Sequence, residues 1–158
     1  MQKPLTEKRL ENIALFYLER FETSSEKLRQ VLKRRAKRQK MQGIEVDPAV
    51  DQWIESVIQK VQNQGFVDDT RYAQNAVRRM SEQGKSVRFI RQKLKVEGVD
   101  SEVINDLVRD VDDVASARIF VRKRHLSACE KDLAKLAGAG FDYETAKKVL
   151  FEQGEEDA

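Results

Sequence analysis

The sequence has little of what disulfide frameworks and reaction centres require. Among 158 residues there is one cysteine, Cys129, and one histidine, His125. A single cysteine excludes an internal disulfide and favours a reducing compartment. The two residues are four positions apart, but two side chains do not complete a tetrahedral zinc site and no further ligand lies near them. We therefore predict no metal site, and we interpret His125 as a solvated side chain because no partner for a general base is evident.

Long apolar runs and phosphate-binding glycine motifs are also absent from the sequence. No run of about 18 apolar residues is present, and the amino end lacks the basic-then-apolar layout of a secretion signal. There is no glycine-rich phosphate loop, no Gly-x-Ser-x-Gly elbow, and no carboxylate pair beyond those at helix starts. We expect a cytoplasmic protein that is not an enzyme, with no catalytic residue, no cofactor and no membrane partner.

Charged side chains are abundant and unevenly distributed along the chain. The 30 lysines and arginines exceed the 27 aspartates and glutamates by only 3. Residues 1–45, however, carry 12 basic and 6 acidic side chains, and residues 67–99 carry 8 basic and 4 acidic. The remaining residues carry 10 basic and 17 acidic side chains. The first two thirds are therefore cationic and the last third is acidic, which favours an anionic partner for the first part.

Apolar residues recur at helical spacing in about nine segments, which predicts an all-α protein. The segment from Leu94 to Val108 recurs 42 positions later, from Leu136 to Leu150, in the order helix, glycine, apolar residue, aspartate, helix. Small helical repeats are stabilised by contact with their neighbours. We predict an elongated, curved array of three tandem three-helix repeats, at residues 1–64, 65–111 and 112–153, followed by a disordered acidic tail at 154–158.

Local signals predict where individual helices begin and which faces they bury. Asp47 before Pro48 predicts a helix that begins at Pro48, and Ser127 predicts the start of another. Trp53 lies within an apolar face, so core packing is favoured over base stacking. The helix that opens at Asp112 and Asp113 is predicted to bury three residues. These are Ala115, Ile119 and Leu126.

Two helices combine an apolar face with a cationic face. In the first, Leu28, Val31, Leu32 and Ala36 form the inner row, and the segment 33–40 holds the densest positive charge of the chain. Such a run is either a solvated face or a site for an anionic partner, which would relieve the repulsion between like charges at i, i+4. The second helix begins after Ser86. We call the outer faces of the first two repeats the basic faces, and the candidate binding residues on them are Lys33, Arg34, Lys37, Arg38, Arg78, Arg79, Arg88, Arg91 and Lys95.

A hairpin of two helices between Gly65 and Val99 carries a recognisable motif. It begins with Gly65-Phe66-Val67-Asp68-Asp69, continues with Arg71-Tyr72-Ala73, and closes with the Ile90 to Leu94 row and Glu97-Gly98-Val99. The chain resembles the RecX family, the regulators of the RecA recombinase. Further matches extend the likeness over nearly the whole chain. They are Ala14-Leu15, Leu18 and Ser25 to Arg29 upstream, and Gly140 to Tyr143, Ala146 and Val149 downstream.

The resemblance implies a protein that lies along the groove of the RecA nucleoprotein filament and lowers recombinase and coprotease activity. It implies a role in DNA repair, recombination and the SOS response. The implied partners are the RecA filament and single- or double-stranded DNA, bound directly or within the filament. We expect a monomer. Asp68, Asp69, Arg71 and Tyr72 match the family motif, and we assign them to holding the second repeat together, since carboxylates at a helix start act as caps.

A helical module that binds DNA directly is the alternative interpretation. Cationic helices after capped turns are also typical of helix-turn-helix proteins, in which the helix from Ser86 to Glu97 would be the recognition helix. That helix has no evident set of base-reading side chains, because exposed Asn and Gln residues are scarce on it. A filament regulator is therefore favoured over a direct reader of DNA.

Overall fold

The computed structural model describes residues 3–152, and within them every regular element is an α-helix. This confirms the predicted all-α fold. The helices are α1 (Glu7–Arg20), α2 (Ser25–Met41), α3 (Val50–Asn63), α4 (Asp69–Glu82), α5 (Val87–Val96), α6 (Ser101–Val108), α7 (Asp113–Arg124), α8 (Glu130–Gly138) and α9 (Tyr143–Phe151). None of them, within this described part of the chain, is long and apolar enough to cross a membrane.

Small polar side chains begin many of the helices. The Thr6 hydroxyl accepts a hydrogen bond from the Arg9 amide, and the Ser86 hydroxyl accepts one from the Phe89 amide, each at 3.1 Å. Helix α3 begins two residues later than predicted. The Asp47 carboxylate accepts the Ala49 amide at 2.8 Å, and this local turn leaves Pro48 and Ala49 outside the helix.

Many of the helices are followed by a residue with a left-handed backbone conformation, that is, a positive φ, and this residue closes a recurring turn. After α8, Gly140 has a φ of 98° and the next amide, of Phe141, donates to the Leu136 carbonyl at 3.2 Å. After α7 the same position is taken by His125, with a φ of 53°. The Leu126 amide there donates to the Val121 carbonyl at 3.0 Å. His125 thus adopts the conformation that glycine adopts elsewhere in the chain.

The chain divides into two compact units, Met1–Tyr72 and Ala73–Ala158. In the first unit, α1 and α2 both pack on α3. Trp53 packs against the core of this unit, which confirms the core interpretation of that residue. The most deeply buried side chains of the core are Leu10, Ala14, Leu28, Leu32, Ile54 and Val61.

In the second unit, α5 packs on α6, and α7 and α8 pack on α9. Ile90, Leu94 and Ile104 are buried in the first of these groups, and Ala117, Leu136, Phe141, Ala146 and Val149 in the second. The boundary between the units falls inside α4. The division into three repeats at 1–64, 65–111 and 112–153 stays a prediction, and the predicted tail at 154–158 lies outside the described residues.

The predicted face of α7 was partly wrong and the predicted start of α8 was wrong. Ile119 is partly buried and Leu126 packs against the core, but Ala115 is exposed, and the buried residues of α7 include Ala117 and Val121. The cause is the sequence of α7, which has apolar side chains on all sides, so that helical periodicity does not single out one face. Helix α8 begins at Glu130 rather than at Ser127. Ser127 lies in the segment before the helix, where its amide donates to the Asp132 carboxylate at 2.7 Å.

Candidate binding surfaces

Helix α2 presents a continuous cationic face in the first unit. Leu28 and Leu32 are fully buried and Ala36 nearly so, which fixes the orientation of the helix. Because side chains three and four positions apart share a face, the opposite side carries the basic run. All four predicted binding residues of this helix are exposed. They are Lys33, Arg34, Lys37 and Arg38.

Helices α4 and α5 contribute the other predicted basic residues, all of them in the second unit. Ile90 and Leu94 are fully buried, so α5 turns its remaining sides outward. The five predicted residues of these helices are exposed. They are Arg78, Arg79, Arg88, Arg91 and Lys95.

None of these nine basic side chains forms an ion pair within residues 3–152. Arg78 and Arg91 donate only to neutral amides, those of Asn75 and Asn105. Arg29 shows the contrast. Its guanidinium pairs with Glu55 at 2.6 Å and also with Glu26, and the hydrogen bond with Glu55 raises the pKa of Arg29 above its usual value. The basic faces therefore keep charge that no ion pair within the described chain neutralises, although the charge of Lys33 contributes to the lowered pKa of Glu26.

The paired aspartates at the start of α4 have two different roles. Asp68 caps its own helix, since its carboxylate accepts the Arg71 amide at 3.0 Å. Asp69 reaches a different helix and accepts the Ser25 amide, the first of α2, at 2.7 Å. The first amides of a helix have no partner within it, so the Asp69 carboxylate completes the end of α2.

The same arrangement recurs at the start of α7. Asp112 caps its own helix through the amides of Val114 and Ala115. Asp113 accepts the Val87 amide, the first of α5, at 2.8 Å. We call this arrangement the aspartate joint: two consecutive aspartates, of which the first caps its own helix and the second completes the start of an earlier one. The sequence shows the two pairs but not the helix that the second aspartate reaches.

The remaining motif residues lie beside the first joint. Tyr72 is buried, and the Lys27 ammonium lies 3.4 Å from its hydroxyl and 5.8 Å from its ring centroid. Arg71 has an exposed side chain and contributes its amide to the Asp68 cap. Tyr72 is thus a structural neighbour of the α2 start, which lies in the segment 1–64. The role we assigned to the motif, holding the second repeat together, stays a prediction.

The histidine and the cysteine lie apart from any cluster of metal ligands. His125 is exposed at the end of α7, and Cys129 is exposed just before α8, so the two do not share a helix face. Within residues 3–152 no group of three or more His, Cys, Asp or Glu side chains is placed to hold a metal ion. Neither residue belongs to the nine predicted binding residues of the basic faces.

Sequence comparison connects the chain to one group of proteins. Residues 68–107 match the family model for the RecX second three-helix domain. The chain is 36% identical over 157 residues to the regulatory protein RecX of Myxococcus xanthus, covering 89% of this chain and 83% of that protein. It is 31% identical over 150 residues to the regulatory protein RecX of Agrobacterium fabrum, covering 88% and 80%.

Structure comparison gives the same fold. A crystal structure of a regulatory protein RecX matches 90% of this chain and 70% of its own with a TM-score of 0.67 at 20% identity. The crystal structure of RecX from Lactobacillus salivarius matches 96% and 97% with a TM-score of 0.65 at 19% identity. At this level of identity the likeness establishes the helical fold.

Proposed function

The chain belongs to the RecX family, and we propose that it binds the RecA nucleoprotein filament and modulates, mainly by inhibition, its recombinase, ATPase and coprotease activities. It does so in the cytoplasm, as a monomer and without chemistry of its own. The relatives bear the name of regulatory proteins, and binding alone is sufficient for regulation when the bound surface is one that the filament needs for growth.

The observation that carries this proposal is the set of nine exposed basic side chains without carboxylate partners among the described residues. Charge that is not neutralised within a protein raises its association rate with anionic partners and strengthens binding to them. A nucleoprotein filament presents phosphates, and the cationic faces of α2 and α5 complement such a surface. The two units each contribute one such face, so binding by both raises the total affinity above that of either.

A charge-reversal experiment tests the proposal. Arg88→Glu with Arg91→Glu reverses two exposed charges on α5. Lys147→Glu with Lys148→Glu makes the same change on α9, at positions that are also exposed but lie in the acidic third of the chain. We expect the α5 variant to inhibit ATP hydrolysis by a preformed RecA filament about tenfold more weakly than the wild type, and the α9 variant to inhibit as the wild type does.

Two results would contradict the proposal. Equal inhibition by the α5 variant, the α9 variant and the wild type would remove the basic faces from the mechanism. Binding to naked DNA that is as tight as binding to the filament, with steep salt dependence and no effect on ATP hydrolysis, would favour the direct DNA-binding alternative.

A further inference from the structure

A groove in the second unit combines cationic and aromatic side chains from three helices and from the turn before α5. It has a volume of about 360 Å³ and lies where the start of α5, the end of α7 and the end of α8 meet. Its side chains include two phenylalanines and three cations, and no carboxylate of the described residues lines it. They are Lys85, Phe89, Phe120, Arg124 and Lys135.

The two aromatic rings of the groove each carry a cation. Phe89 is 40% exposed, and Phe120 is partly buried. The Lys85 ammonium lies 4.9 Å from the Phe89 ring centroid, and the Arg124 guanidinium carbon lies 5.0 Å from the Phe120 ring centroid. Phe120 is held in place by an edge-on contact with buried Phe141, at a centroid distance of 6.0 Å.

The charge of the groove is only partly compensated. Lys135 lies 3.3 Å from the Asp132 carboxylate, just outside the lining. The Ser127 amide also donates to Asp132 and is the main reason that the pKa of Asp132 is below its usual value. Lys85 and Arg124 have no carboxylate partner among residues 3–152 and lie over the aromatic rings described above. The groove therefore has a net positive charge beside two ring faces.

Two close backbone approaches fix the shape of this groove. A β-carbon on Gly84 would lie 3.0 Å from the Phe120 amide nitrogen, and one on Gly140 would lie 2.5 Å from the Ser86 hydroxyl. That hydroxyl donates to the Ala139 carbonyl at 2.9 Å. The start of α5 is thereby held against both α7 and the end of α8, so the two rings are fixed before any ligand arrives.

We infer that this groove binds single-stranded nucleic acid, with a base stacked on Phe89 or Phe120 and the adjoining phosphates on Lys85, Arg124 and Lys135. Accessible aromatic rings beside cations are the combination that binds unpaired bases without sequence preference. An entering base replaces the Lys85 ammonium over the Phe89 ring, and the freed ammonium pairs with a phosphate. The inference goes beyond the filament proposal, because it rests on the groove alone and concerns a site outside the basic faces.

The test compares two labelled oligonucleotides of about twelve nucleotides, an oligothymidylate and an abasic strand of the same length, by fluorescence anisotropy with the full chain. We expect Phe89→Ala to bind the oligothymidylate at least about fivefold more weakly than the wild type, and to bind the abasic strand as the wild type does. Phe151→Ala is the matched control, since Phe151 is 49% exposed and lies outside the groove. Phe151→Ala should change neither the affinity for the oligothymidylate nor that for the abasic strand.

A second variant reports stacking directly and does not depend on a loss of binding. In Phe89→Trp an aromatic ring is kept, and the indole fluorescence should fall when the oligothymidylate is added and not when the abasic strand is added. The wild type, whose only tryptophan is Trp53, supplies the background. Three results would overturn the inference: equal wild-type affinity for both strands, unchanged fluorescence of the introduced indole, or competition by an oligoglutamate peptide as strong as by the oligothymidylate. None of these measurements involves the recombinase, so the filament proposal can fail or hold independently.

Discussion

At the scale of single residues, the helix ends carry much of the specificity of this fold. Most left-handed turns in the described chain use glycine, but the turn after α7 uses His125, with a φ of 53°. A residue with a β-carbon is less favourable there by about 1–2 kcal/mol, because the β-carbon approaches the following carbonyl oxygen. The turn nevertheless forms its Leu126 to Val121 hydrogen bond. His125 is thus a site of local strain.

Replacing His125 by glycine should stabilise the second unit. We expect His125→Gly to raise the free energy of unfolding by about 1 kcal/mol, and thermal denaturation followed by circular dichroism should show a rise of roughly 2–4 °C. The control is His125→Ala, which removes the imidazole but keeps the β-carbon, and which should leave the melting temperature nearly unchanged. A similar rise in both variants would show that the imidazole, not the backbone conformation, is the source of the strain.

Carboxylate caps give the fold a predictable response to acid. The Thr145 amide donates to the Asp142 carboxylate at 2.7 Å and is the main cause that lowers the pKa of Asp142 below its ordinary value of 3.8. The folded state therefore holds this carboxylate charged more firmly than the unfolded chain does. Its contribution to stability is complete above the unfolded pKa and is lost as the pH falls through the lower folded pKa.

Asp142→Asn should make the protein less sensitive to acid. Asparagine also caps a helix, but it does not titrate. We expect the fall in melting temperature between neutral pH and about pH 3 to be smaller in this variant than in the wild type. The melting temperatures of the two proteins should therefore differ less at acid pH than at neutral pH. The same fall in both would show that other carboxylates, such as Asp132, dominate the acid response.

At the scale of elements, the sequence predicts a helix face well where one apolar stripe exists. Helices α2 and α5 have such stripes, and the basic residues predicted to bind a partner on them are exposed as expected. Helix α7 does not, and Ala115 was wrongly predicted to be buried on it. The aspartate joint was beyond prediction for another reason: Asp113 and Val87 are 26 positions apart, and only the packed helices bring them together. The groove of Phe89 and Phe120 was missed for the same reason, since its residues come from three helices.

Breaking an aspartate joint should lower the free energy of unfolding more than removing another acidic residue from the first turn of a helix. Asp69→Ala and Asp113→Ala each leave a partly buried amide without its acceptor, and we expect a loss of about 1–2 kcal/mol in the free energy of unfolding for each. Asp51→Ala is the control, because Asp51 is exposed in the first turn of α3, where its only expected contribution is the smaller helix-dipole term. Urea denaturation of the three variants checks the order, and equal losses would contradict it.

At the scale of the whole molecule, the distribution of charge matters more than its total. The excess of basic residues is only 3, yet the segment 1–45 alone carries 12 basic against 6 acidic side chains. The four predicted binding residues on α2, all exposed, form no ion pair with any other described residue. The protein therefore presents anionic partners with a local charge that is larger than its net charge.

This distribution predicts the salt dependence of filament binding. Neutralising Lys33, Arg34, Lys37 and Arg38 to glutamine should weaken binding at low salt. It should also reduce the slope of log affinity against log salt concentration by roughly 0.7 for each single-strand phosphate that the variant no longer neutralises. Lys147→Gln with Lys148→Gln should leave the slope unchanged. An equally steep slope in the fourfold variant would show that α2 does not meet phosphates.

The aspartate joint also bears on how a chain of this kind can change length. Each instance lies within a short stretch that both starts one helix and secures an earlier one, through the Asp69 to Ser25 bond and the Asp113 to Val87 bond. If such a stretch is duplicated in a gene together with its following helices, the copy brings its own means of attachment. Addition or loss of such a stretch together with its helices then keeps the hydrogen bond that secures it, whereas an insertion between the two aspartates would separate one role from the other.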